Sequence, residues 1–184
     1  ELAGDAALTI FNRDVQLMCD FEQAFIKAVQ QRYTSVKVKC CLFHFTQSIF
    51  KNANDAVNSI NKAAGEDGEK IQMAMRAIRR IMILALVPEE LITPALVELI
   101  IASASDNPSD LPKEVKAFRA YIPRTYLGKP AVGTRPAQRP RYSPSLWCVS
   151  GMGSRTNNAA ESVHSQLNLG VSGKISVIRF IHFI

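Results

Sequence analysis

Val36-Lys37-Val38-Lys39-Cys40-Cys41-Leu42-Phe43 decides the fold class. Val36, Val38, Cys40 and Leu42 fall on one side of an extended chain and Lys37 and Lys39 on the other, the period-two pattern of a strand with one buried face. Upstream, Val15-Gln16-Leu17-Met18-Cys19 alternates in the same way. Asp20 interrupts it, and Phe21, Phe25, Ala28 and Val29 then recur at helical spacing to about Tyr33. A second helix follows from near His44. Only two or three residues separate the first helix from the second strand, so strand, helix, strand, helix reads as a parallel α/β unit.

Outward from this unit the texture changes. From residue 51 to about residue 122 the pattern is helical. Ile71, Met75, Ile78, Met82 and Ala85 make one stripe, with Gln72, Arg76, Arg79 and Arg80 opposite. Thr93-Pro94 supplies an N-cap and a proline at the first helical position, and Leu96, Leu99 and Ile100 continue the helix. Asp106 to Asp110 breaks the pattern before a short helix through Val115, Phe118 and Ile122. Residues 123–145 hold five prolines, two glycines and the arginines 124, 135, 139 and 141, which predicts an extended basic loop. A capped helix with Ala160, Val163 and Leu167 as its buried stripe comes next, and 175–184 form an apolar element that stops without a cap, as in a piece of a longer protein. Three segments result: 1–50, 51–145 as a helical insertion with its basic loop, and 146–184.

Charge separates the ends. Residues 1–112 carry 11 Lys/Arg against 14 Asp/Glu, while 113–184 carry 11 against 2, so a polyanion would meet the C-terminal part. The longest apolar run, Ile81 to Val87, is about a third of the roughly 20 residues of a membrane span, which predicts no membrane partner. Of the four cysteines, Cys40 and Cys41 are adjacent, which argues for reduced, intracellular thiols over a disulfide framework.

Each chemical feature has a plain reading beside its functional one. Asp20 and Gln23 have capping-box spacing, yet a carboxylate at the C-terminal end of a parallel strand also lies where α/β sheets place their chemistry. Asn158 and Glu161 repeat the capping spacing, and Arg155, Thr156 and Asn157 before them add donors suited to phosphate. Cys41 and His44 meet only if the strand turns into helix between them; no second Cys/His pair completes a zinc site. They are either a buried thiol and a helix-start imidazole or neighbours of a catalytic acid. Trp147 is an anchor for the basic loop or a platform for a base. Cys19, Cys40, Met73, Met75 and Met82 read as packing.

The order of these features resembles the transposase core of the Mutator-like elements: Asp20-Phe21-Glu22 after a strand, Cys41-Leu42-Phe43-His44 with Gln47, a long helical stretch, then Leu146-Trp147-Cys148-Val149 through Arg155-Thr156-Asn157-Asn158 to Glu161-Ser162-Val163-His164 and Leu167-Asn168. The resemblance implies a ribonuclease H-like fold, here partial, interrupted by an all-helical insertion. It makes Asp20 and Glu161 the second and third catalytic acids of a DDE-type DNA transposase and the ligands of two Mg²⁺ (or Mn²⁺) ions, with His44 and Cys41 beside them. It also implies a nuclear protein that binds transposon ends and target DNA as a homo-oligomer, with Arg124, Arg135, Arg139, Arg141, Arg155, Asn157, Asn158 and Trp147 as candidate nucleic-acid contacts.

The family's first acid precedes the second by two strands and a helix. Asp5 and Asp14 lie only 15 and 6 residues before Asp20, so neither can be that acid, and residues 1–184 alone are expected to be inactive. Cys148 also stands where the family has Asn. The alternative is a transposase-derived protein that binds nucleic acid or regulates without catalysis. A helical interaction module would leave the basic C-terminal part unexplained.

Overall fold

The two alternating stretches pair as read. In the computed structural model, which describes residues 15–64, 68–129, 131–158 and 162, β1 (Gln16–Cys19) and β2 (Lys37–Cys40) run parallel, with Gln16 opposite Lys37 and Cys19 opposite Cys40. The bond from Lys37 N to Val15 O (2.9 Å) opens the ladder and that from Cys41 N to Cys19 O (2.8 Å) closes it. Between the strands α1 (Gln23–Arg32) lies against β2. It buries Ile26 and Val29, leaving Phe25 exposed, where the sequence pattern had Phe25 facing inward.

The strand is shorter than its alternation. Leu42 and Phe43 belong to α2 (Leu42–Ala64), a helix of 23 residues that begins two residues before His44. Apolar pairs fit either period, and the decision comes from outside: Leu42 N donates to the carbonyl of Arg155 (2.8 Å), which ends the ladder and satisfies one of the open donors of the helix start. The segment boundary between residues 50 and 51 therefore falls inside α2.

Helix α3 (Gly68–Met82) packs on α2 and on α4 (Pro94–Ala102). Gripped from two sides, it buries Met73, Ala74, Ala77, Ile78 and Ile81, whereas Ile71, Met75 and Met82 of the expected stripe are only partly covered. Its arginines are not simply solvated: Arg76 Nε donates to Ala104 O (3.1 Å), and Arg80 to the carbonyl and hydroxyl of Ser103, at the negative C-terminal end of α4. Thr93 caps α4 as read, its Oγ1 accepting from Leu96 N at 3.1 Å. The buried residues of that helix are Val97 and Ile101, and Leu99 is exposed. Among the described residues no helix is long and apolar enough to cross a membrane.

Helix α5 (Lys113–Ile122) packs on α2 and runs into a π-helical turn, Pro123–Leu127, that buries Thr125 and Tyr126. The basic segment is not wholly extended. Bridges between Lys129 and Gln138 and between Val132 and Arg135 fold it into a small antiparallel hairpin, which α6 (Pro144–Trp147) follows. Gly128, with φ 80°, starts the hairpin; an added Cβ would stand 2.5 Å from Gln138 O and 2.9 Å from Pro140 Cδ. Gln138 O already accepts from Lys129 N, so the rung cannot yield. Gly128→Ala is expected to cost about 1–3 kcal/mol, measured as a lowered urea midpoint by circular dichroism, because both the conformation and the contact are unfavourable for a side chain.

One hydrophobic cluster joins all three segments, from Cys19, Val38 and Cys40 of the sheet through Phe45, Ile49, Ile81 and Val97 to Tyr142, Trp147 and Val149. Its aromatic centre is Trp147, stacked on Phe45 at 4.8 Å and edge-on to Tyr126 at 5.9 Å. The four cysteines are free and buried. Burial also raises the pKa values of the Tyr126 and Tyr142 hydroxyls. A phenol whose pKa is raised on folding contributes stability that is fully present below the unfolded value, about 10, and lost as pH rises through the folded value. Tyrosinate absorbance is therefore expected to report Tyr126 and Tyr142 ionising only together with alkaline unfolding; early ionisation of both in a folded protein would refute their burial.

Candidate functional site

The site is assembled at the C-terminal ends of the two parallel strands, where side chains are presented clear of the ladder. Asp20 leaves the end of β1. It does not cap α1: the N-cap is Glu22, without a side-chain cap bond, so the capping-box reading of Asp20 fails. Its carboxylate turns instead toward the first turn of α2, whose open N–H groups favour negative charge. There His44 Nδ1 stands 3.1 Å from Asp20 Oδ1, an ion pair when the imidazole is protonated.

The third member arrives from the far end of the chain. Val149 N bonds to Ala85 O (2.8 Å), Lys39 Nζ to Cys148 O (2.9 Å), and Arg155 O takes the amide of Leu42. These ties lay residues 148–155 across the sheet and bring Asn157 to Asp20, where its Nδ2 donates to Oδ1 at 2.7 Å across a sequence separation of 137. Both Asn157 and His44 contact the same carboxylate oxygen. Asp20 keeps 54% of its side chain exposed, so its other oxygen can meet a ligand. Asn157 Oδ1 is buried without a hydrogen-bond donor.

The remaining candidates divide by burial. Cys41 is fully buried and continues the sheet through its amide; it packs, and no substrate can touch it. Trp147 is fully buried with its indole N–H shared between the carbonyls of Tyr126 and Tyr142, both at 3.2 Å. It is the anchor, and its face is not open to a base. Arg124, Arg135, Arg139, Arg141 and Arg155 are exposed, as is Asn158. Arg135 and Arg139 lie on the hairpin, while Arg124 and Arg141 approach the core beside Tyr142. Glu161 and the Val163 and Leu167 stripe lie outside the described residues.

Among the described residues no group of three or more His, Cys, Asp or Glu side chains is gathered for a metal ion. What the site does offer a hard cation is oxygen: the half-exposed Asp20 carboxylate, whose Oδ1 is held by the Asn157 amide. Asn157 was read in the sequence only as a phosphate donor. Nothing in its spacing marks it as a partner of Asp20, because contact across 137 residues has no local periodicity.

No family model matches the chain, and neither a curated protein nor a solved structure matches it.

Proposed function

We propose that this chain is part of the catalytic core of a Mutator-like DDE-type DNA transposase, of ribonuclease H-like fold, that acts in the nucleus as a homo-oligomer and performs metal-dependent cleavage and transfer of DNA strands. The observation that carries this reading is the convergence of Asp20, His44 and Asn157 on one carboxylate oxygen at the ends of parallel strands. Three segments that are polar for different local reasons meet at one point, and they are the segments that carry the family resemblance. In this reading Asp20 and Glu161 hold Mg²⁺ or Mn²⁺. Such ions supply Lewis-acid activation of the attacking oxygen and stabilisation of the leaving one. Asp20 would be the metal-facing carboxylate, Asn157 would orient it, and His44 would stand beside the scissile phosphate. The basic residues 124, 135, 139, 141 and 155 neutralise the DNA backbone.

The test is strand cleavage by the full-length polypeptide on DNA bearing the element ends, with Mg²⁺ or Mn²⁺ and with a chelator. Cation-dependent nicking at the ends is expected, and the chelator removes it. Retention of DNA without cleavage under either cation would favour the second reading, a transposase-derived protein that binds nucleic acid without catalysis.

A further inference from the structure

A cleft of about 550 Å³ opens beside the Asp20 site, and of its lining the catalytic reading uses only the two arginines, as DNA-backbone contacts. Phe21, next to Asp20, forms part of its wall, and Ser48 and Asn52 of α2 form another part. His44, Ser48 and Asn52 are spaced four apart, so they share one face of α2, and the cleft continues along the helix from the candidate site.

Its chemistry has two halves. Arg124, from the π-helical turn, and Arg141, after the hairpin, are both exposed and both line it. Among the described residues neither is paired with a carboxylate, and the lining contains no acid at all. Arg141 is held in place over the Tyr142 ring, Cζ 5.4 Å from its centroid, while its carbonyl accepts from Gln23 Nε2. The other half is aromatic and hydroxylic. Tyr121 is half-buried, edge-on to Tyr126 at 5.8 Å, and its hydroxyl is fixed by Asn52 Nδ2 at 3.0 Å. Phe21 is half-buried and edge-on to Tyr142 at 4.9 Å. Paired arginines suit a phosphate, and fixed rings with hydrogen-bonding groups suit a base. A space of this size is that of small-ligand sites and does not admit a duplex.

We propose that the cleft holds one unpaired nucleotide of a nucleic-acid strand, its phosphate on Arg124 and Arg141 and its base against Tyr121 and Phe21. Placement next to the scissile phosphate rests on the catalytic reading of Asp20; binding of the unpaired nucleotide does not. The protein would then select frayed or single-stranded ends over intact duplex.

The experiment is anisotropy of a labelled single strand of about 12 nucleotides, and of the same length as duplex, with the full chain in chelator, so that no metal-dependent step contributes. The single strand is expected to bind at least about tenfold more tightly than the duplex. Combined Arg124→Ala and Arg141→Ala should remove that preference, and the two Arg→Lys changes should restore part of it. Tyr121→Ala should weaken single-strand binding about tenfold or more and abolish the quenching of a 2-aminopurine placed at the unpaired position. Equal affinity for single strand and duplex would overturn the proposal. So would unchanged binding by an Arg124→Ala/Arg141→Ala protein with the circular dichroism of the parent, or full competition by a free mononucleotide at the strand's own concentration, which would make the cleft a mononucleotide site. Metal-dependent cleavage that persists without single-strand preference would sink this proposal alone, and single-strand preference without any cleavage would sink only the catalytic reading.

Discussion

Asp20→Asn in the full-length polypeptide is expected to reduce cation-dependent strand cleavage by about 10³-fold or more, while leaving the fold intact. On the proposed function, removing the carboxylate charge would withdraw a metal ligand and the stabilisation of charge that develops in the transition state. A loss of about 4 kcal/mol there corresponds to three orders of magnitude in rate. Stability should move little. The Asp20 side chain is half exposed, it does not cap α1, and the amide oxygen of asparagine can still accept from Asn157 Nδ2. The informative result is thus a split, with activity gone and the unfolding midpoint unchanged to within about 1 kcal/mol, as surface changes away from special features generally behave. Cleavage by the Asp20→Asn protein at near-parental rate would remove Asp20 from the mechanism. Asn157→Ala serves as the companion: it keeps the carboxylate but loses its orienting donor, and a raised cation requirement with a smaller fall in maximal rate is expected.

Trp147→Ala is expected to be the most damaging single change to stability, at about 3–5 kcal/mol, against a total of about 5–15 kcal/mol for a typical domain. The indole is fully buried and stacked flat on Phe45, at 8° between ring planes. It also ties Tyr126 and Tyr142 together through one shared N–H, so its removal leaves two inward-facing carbonyls without that donor. Trp147→Phe separates the two contributions. Phenylalanine keeps most of the stacking and loses the hydrogen bond, for an expected cost of about 1–3 kcal/mol. Urea unfolding followed by circular dichroism measures both, since Trp147 is the chain's one tryptophan and its own fluorescence disappears with the substitution. A Trp147→Ala protein as stable as the parent would mean that the segment after the basic loop does not pack as described. The same variant should also release Tyr142, whose hydroxyl donates to Phe21 O at 2.7 Å, and so disturb the cleft beside Asp20.

How much could be read without the structure differs by element. Both strands and the cap at Thr93 were legible because each depends on pattern within a few residues, period-two alternation and a threonine oxygen three residues from the amide that it serves, and the parallel pairing followed from the helix between the strands and the short link after it. The end of β2 was not. Leu42 and Phe43 satisfy both periods, and the amide bond to Arg155 that settles the matter comes from more than a hundred residues away. The inward face of α3 was misread for a related reason: a helix packed on two neighbours has no single polar side, and Arg76 and Arg80 find carbonyl partners at the end of α4.

The candidate site divides along the same line. The sequence by itself determined which residues carry acid, imidazole and amide groups at element ends, and that the cationic residues dominate after residue 113, because composition and local period are written in the chain. Only the tertiary structure decided that Asp20 answers to Asn157 and His44 and not to its own helix, that Cys41 and Trp147 are buried, and that Arg124 and Arg141 share a cleft with Tyr121. The physical reason is that burial and long-range hydrogen bonding depend on how elements dock, which is fixed by the shape of the shared core around Phe45, Tyr126 and Trp147 and by no local property of the residues that meet there.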